Sequence, residues 1–93
     1  MAFKNVYVYI LRLPNGRFYT GITQDIDKRI QQHNSGKSKF TSHFLPVTLL
    51  WSQVYADRFQ ARAIEVHIKN KGAKRFLEHK GFAIELNHLV KLF

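Results

Sequence analysis

Apolar and polar positions change their period along this chain, and the changes mark out its elements. Residues 6–13, "VYVYILRL", are β-branched and aromatic with one interruption, which predicts a strand. Pro14-Asn15-Gly16 is turn chemistry, with Gly16 able to take positive φ. "RFYTGIT", residues 17–23, then predicts the returning strand of a hairpin. Asp25 suits a helix N-cap, "IDKRIQQHN" predicts the helix, and Ser35-Gly36 ends it. Ile26 and Ile30 stand one turn apart and predict a buried stripe on that helix. Residues 37–45 predict a polar and aromatic loop. Pro46 precedes "VTLLWSQVY", a third strand. A second helix starts at Ala56 or Asp57, carries Ala61, Ile64 and Ile68 as its apolar stripe, and closes at Gly72. Residues 73–93 predict helix with Gly81 as a break. Phe82, Leu86, Leu89 and Phe93 repeat there at helical spacing, as a core or oligomer contact would.

The order is strand, strand, helix, strand, helix, helix. An early hairpin in that order predicts an α+β fold, an antiparallel sheet with helices packed on it. Ninety-three residues suggest one domain over 1–93, with 81–93 as a C-terminal helical extension. Cysteine is absent, which excludes a disulfide scaffold and a cysteine-based zinc site. No apolar run approaches the length that spans a bilayer, and no leader segment is visible, so a cytoplasmic protein without a membrane partner is the expectation. Charge then narrows the function. Fifteen Lys and Arg oppose six Asp and Glu, a net +9, and such a field attracts polyanions, above all nucleic acid.

Several residues could carry chemistry, and each has an ordinary alternative. Arg29 and His33 are four apart and share a helix face. They could project into a groove, although spacing alone favours a solvated Arg and a C-terminal His stabilised by the helix dipole. Glu65 lies beside the apolar stripe of the second helix and is one of few acids. A lone carboxylate among cations can hold one Mg²⁺ or Mn²⁺ if water and phosphate oxygens complete the octahedron. The ordinary alternative is a surface Glu paired with Lys69 or Arg62. Tyr7 and Tyr9 point to one face of the first strand. Whether Tyr19 joins them depends on the hairpin. A two-residue turn makes paired residue numbers sum to 31 and separates Tyr9 from Tyr19. A three-residue loop gives 30 or 32 and puts both on one face. The sequence leaves both registers open.

Taken together, these signals form a pattern. "YVY" at 7–9, "YTG" at 19–21, Arg29 in a helix and Glu65 in a later helix resemble the GIY-YIG nuclease superfamily, and more narrowly its small stand-alone bacterial members. The resemblance runs from Val6 to Arg75. It departs from the motif at Tyr7, Val8 and Thr20, where the family name has Gly, Ile and Ile. It implies a three-stranded antiparallel sheet flanked by helices in the order ββαβαα, and one-metal hydrolysis of phosphodiester bonds, as in DNA repair or processing. On this resemblance Glu65 would be the metal ligand, and Arg29 would stabilise charge on the transition state. Tyr9 and Tyr19 would flank the attacking water, one of them as general base, which needs the three-residue loop. His33 would hydrogen-bond a tyrosine or phosphate. A free phenol titrates near pH 10, so a tyrosine base needs help from cations.

The basic residues Lys37, Lys39, Arg58, Arg62, Lys69, Lys71, Lys74 and Arg75 would contact nucleic acid through phosphates, which give affinity without sequence information. DNA is favoured over RNA as the partner. A single carboxylate predicts weak binding of Mg²⁺ or Mn²⁺, one ion, until substrate completes the site. The competing expectation is a nucleic-acid-binding module of the same fold with little or no cleavage, and a basic adaptor for a protein partner is a third.

Overall fold

The computed structural model describes residues 5–37 and 45–81. Its elements are β1 (Val6–Arg12), β2 (Phe18–Thr23), α1 (Ile26–Asn34), β3 (Thr48–Tyr55), α2 (Arg58–Lys71) and α3 (Ala73–His79). They form the α+β arrangement that the apolar pattern predicts, in the order ββαβαα. The three strands make one antiparallel sheet, β2-β1-β3. The predicted helical repeat of Phe82, Leu86, Leu89 and Phe93 lies outside the described residues.

β1 is central and both of its faces are covered, which is why its apolar run shows little alternation. Val6, Val8 and Ile10 pack with Trp51, Ala61, Ile68, Phe76 and Leu77 beneath α2 and α3. Trp51 meets Phe76 edge to face, with ring centroids 5.1 Å apart. Tyr9, Leu11 and Leu13 pack on the opposite face with Val47, Tyr19, and the Ile26 and Ile30 stripe of α1. The sheet is therefore the middle layer, with α1 on one side and α2 and α3 on the other.

The hairpin takes the three-residue loop. Leu13 N–H donates to the Arg17 carbonyl at 2.8 Å and closes Pro14-Asn15-Gly16 between them. Gly16 sits at φ +88°, a conformation that a Cβ would disfavour. Asn15 Oδ1 accepts from Arg17 N–H at 3.0 Å and stiffens the loop. The resulting register pairs Tyr9 with Gly21 and Leu11 with Tyr19. Tyr9 and Tyr19 thus share the face that α1 covers.

Helix ends follow the local chemistry. Asp25 accepts from Lys28 N–H at 3.0 Å and Asp57 from Gln60 N–H at 2.8 Å, each satisfying an orphan donor of a first turn. Gly72 closes α2 at φ +97°. Asn34 fixes the far end of α1: its Oδ1 accepts from Val47 N–H at 2.7 Å. The end of the helix is thereby tied to the start of β3, just past the cis Leu45-Pro46 bond.

Candidate active site

Three rings meet under α1. Tyr9 comes from the central strand, Tyr19 from the edge strand and His33 from the last turn of the helix. Ring centroids lie 6.2 Å apart for Tyr9 and Tyr19, 6.1 Å for Tyr9 and His33, and 5.1 Å for Tyr19 and His33. The Tyr9 hydroxyl is 3.1 Å from His33 Nε2. In the tautomer with its proton on Nδ1, the imidazole accepts from that hydroxyl. Arg29, one turn before His33, brings its positive charge to bear on the same hydroxyl.

Gly21 makes this arrangement possible. It stands directly across from Tyr9 in the sheet, and the end of the Tyr9 ring lies over it. A Cβ at position 21 would meet Tyr9 Oη at 2.7 Å and Cζ at 2.8 Å. No side chain fits under the ring. The sequence alone assigns Gly21 no role beyond the motif. The available signal was a glycine inside a strand, which often marks a close approach.

The electrostatics separate the two tyrosines. Tyr9 is fully buried, and burial pushes its phenol up to about 12; the nearby Tyr19 adds to the rise, Arg29 opposes it and Glu65 adds to it. Tyr9 therefore keeps its proton at neutral pH and acts as a donor. Burial also lowers His33, and the Arg29 charge lowers it further, which keeps the imidazole neutral. Tyr19 is half-buried and lines an open groove with Arg17 and Lys69.

Glu65 lies on α2, the helix on the other face of the sheet, and its ion-pair partner Lys69 lines the same groove as Tyr19. α2 packs against both β1 and β2, and the Glu65 charge is felt at the Tyr9 hydroxyl. Its side chain is 7 % exposed, with Arg62 Nη1 3.3 Å from Oε1 and Lys69 Nζ 3.2 Å from Oε2. A buried carboxylate needs such partners. Both pairings anticipated for a surface Glu are present, but the carboxylate they hold is buried. Both cations are mostly exposed, so each ion pair is weakly held and either can swing away. The donor set is one hard carboxylate. Among the described residues no group of three or more His, Asp or Glu could hold a metal. That chemistry fits a hard divalent cation bound through one protein ligand, with its other positions left to water and phosphate.

The other predicted residues fall in two groups. Lys37 joins Arg29, Gln32 and His33 around a second groove of about 350 Å³. Arg62 and Lys69 are at Glu65 itself. Arg58 is exposed at the first position of α2, and Lys74 and Arg75 are exposed on α3. Lys71 Nζ lies 2.6 Å from His79 Nδ1, so it faces the end of α3 and not Glu65. Lys39 lies outside the described residues. No described helix is long and apolar enough to cross a membrane.

Comparison with known proteins places the chain in a family and a fold. The model of the GIY-YIG catalytic domain matches residues 5–80. A UPF0213 protein of Lacticaseibacillus paracasei is 43 % identical over 82 residues, covering 84 % of this chain and 92 % of that protein. A UPF0213 protein of Streptococcus pyogenes serotype M5 is 38 % identical over 72 residues, covering 76 % of this chain and 78 % of that one. Among solved structures, the solution NMR structure of a UPF0213 protein from Bacillus halodurans matches with a TM-score of 0.56 and 34 % identity, over 87 % of this chain and 90 % of that one. With its three-stranded sheet and a family match over most of its length, this chain belongs to the GIY-YIG domain family, a nuclease superfamily.

Proposed function

We propose that the protein is a divalent-metal-dependent endonuclease that hydrolyses phosphodiester bonds in DNA. One observation carries the reading. Glu65, a buried acid from α2, is ion-paired at 3.2 Å with Lys69, which lines one groove together with Tyr19 of the ring cluster. Packing alone gives no reason to bury a carboxylate there.

The residues divide the work. Glu65 would hold one Mg²⁺ or Mn²⁺ ion, with Arg62 or Lys69 giving way. When bound, that ion supplies a Lewis acid for the phosphate oxygens. Arg29 faces the charge that develops on the pentacoordinate phosphorus centre and stabilises it in the transition state. Tyr19, the accessible tyrosine, would face the attacking water and serve as the general base that receives its proton. The water oxygen bonds to phosphorus while the bond to the leaving sugar oxygen breaks. Tyr9 holds its proton and orients the cluster through His33. Lys37 and Lys69 hold flanking phosphates.

Nicking of plasmid, branched and single-stranded DNA with Mg²⁺ or Mn²⁺ tests this. Arg29→Ala and Glu65→Gln are each expected to slow cleavage by about 10²–10³-fold. Wild-type rates in both variants would refute the assignment. One observation favours a second reading, a binding module without efficient cleavage: both Glu65 oxygens already have cationic partners. DNA binding with a steep salt dependence, and no cleavage by the wild type with either metal, would establish it.

A further inference from the structure

Two grooves flank the ring cluster, and they differ in chemistry. One is polar, lined by Arg29, Gln32, His33 and Lys37. The other, of about 620 Å³, follows the free edge of β2. Leu13, Phe18 and Ala73 give it an apolar floor, Tyr19 forms its wall towards the cluster, and Arg17 and Lys69 supply its cations. Tyr19 and His33, with centroids 5.1 Å apart, are the partition between the two. A strand that crosses this partition leaves its backbone on one side among polar and cationic groups. On the other side it meets an apolar surface large enough for a nucleotide.

Resting on the nuclease reading, we infer that the β2-edge groove is a nucleobase subsite, occupied by one unpaired nucleotide immediately beside the scissile phosphate. The apolar floor takes the flat face of the base, and Arg17 and Lys69 bracket its phosphates. A base inside a duplex has both faces covered by its neighbours and cannot offer one to this floor. The substrate is therefore single-stranded or branched DNA with an unpaired nucleotide on one side of the cut, and the polar groove takes the backbone on the other side. Arg17 becomes a substrate-binding residue. Its position follows from the three-residue loop, which pairs it with Leu13 at the mouth of the groove.

The test compares oligonucleotides that are identical except at the two nucleotides flanking the mapped cut. Each position is presented as unpaired, paired or abasic. Removing or pairing the base on one side only is expected to lower kcat/KM by about 5- to 100-fold, the worth of one stacked base, and the same change on the other side to have little effect. Ala73→Met, which fills the floor, should shrink the ratio of the unpaired to the abasic rate towards one, and an unchanged ratio would count against the subsite. Arg17→Ala, an exposed change that spares the fold, should raise KM several-fold with kcat preserved. Equal cleavage of unpaired, paired and abasic substrates would overturn the subsite while leaving the nuclease reading intact. If nothing is cut, the nuclease reading fails. Binding of single-stranded, duplex and fully abasic oligonucleotides of one length, followed by fluorescence anisotropy, then decides the groove: affinity that depends on unpaired bases supports it and base-independent affinity overturns it.

Discussion

Gly21→Ala adds one methyl group, and the structure predicts a large response. In an ordinary strand this change removes freedom from the unfolded chain and stabilises by about 0.4–1 kcal/mol. Here the new Cβ would meet Tyr9 Oη at 2.7 Å and Cζ at 2.8 Å. Ordinary contact begins near 3.4 Å, so the hydroxyl must retreat by about 0.7 Å. Tyr9 is fully buried, and its hydroxyl is already 3.1 Å from His33. A retreat away from His33 would break that hydrogen bond. Overpacking of this kind costs about 1–3 kcal/mol, enough to reverse the sign of the ordinary effect. At about 4–8 °C per kcal/mol for a domain of this size, the melting temperature should fall clearly. Misplacing the cluster by nearly 1 Å should also cut the nicking rate by about 10²-fold. Thermal melts and nicking assays on Gly21→Ala, Tyr9→Leu and the double variant form the experiment. Tyr9→Leu removes the end of the ring, so Gly21→Ala should cost at least about 0.5 kcal/mol less in that background. A Gly21→Ala protein as stable and as active as wild type would show that the ring does not rest on the strand.

Three further outcomes can be measured. His33 is held neutral by burial and by the Arg29 charge, with its pKa lowered in the fold. The unfolded chain therefore binds a proton near pH 6.5 that the folded chain refuses. Stability from this group is complete above about pH 6.5 and falls as pH drops towards the folded pKa. Melts between pH 7.5 and 5 should show the loss and His33→Gln should flatten it; a slope unchanged in the variant would refute this. Asn34→Ala leaves the Val47 N–H without its 2.7 Å partner, which should cost about 1–3 kcal/mol in urea unfolding; no change in the midpoint would count against the tie between α1 and β3. Lys37→Ala should weaken binding of every DNA sequence alike and reduce the slope of log K against log salt by about 1. An unchanged slope would mean that Lys37 touches no phosphate.

Much of this protein was legible in the chain because its signals are local. The apolar run at 6–13, the turn residues at 14–16, Asp25 and Asp57 as caps and Gly72 as a stop each act over a few residues. They yielded the element order, while the burial of β1 on both faces emerged only from the packed structure. The motif residues marked a family because their order and spacing are one-dimensional too. What the sequence could not decide depended on register and on contacts between distant elements. A shift of one residue in the hairpin moves Tyr19 to the other face, and only the closed loop, with Leu13 bonded to Arg17, places it beside Tyr9. Burial of Glu65 was equally out of reach, since a helix of mixed composition does not reveal which flank meets the sheet edge. Tyr9 and Tyr19 were equivalent hydroxyls in the sequence. The tertiary structure separates them, because packing seals Tyr9 against Gly21 and His33 and leaves Tyr19 open to a groove.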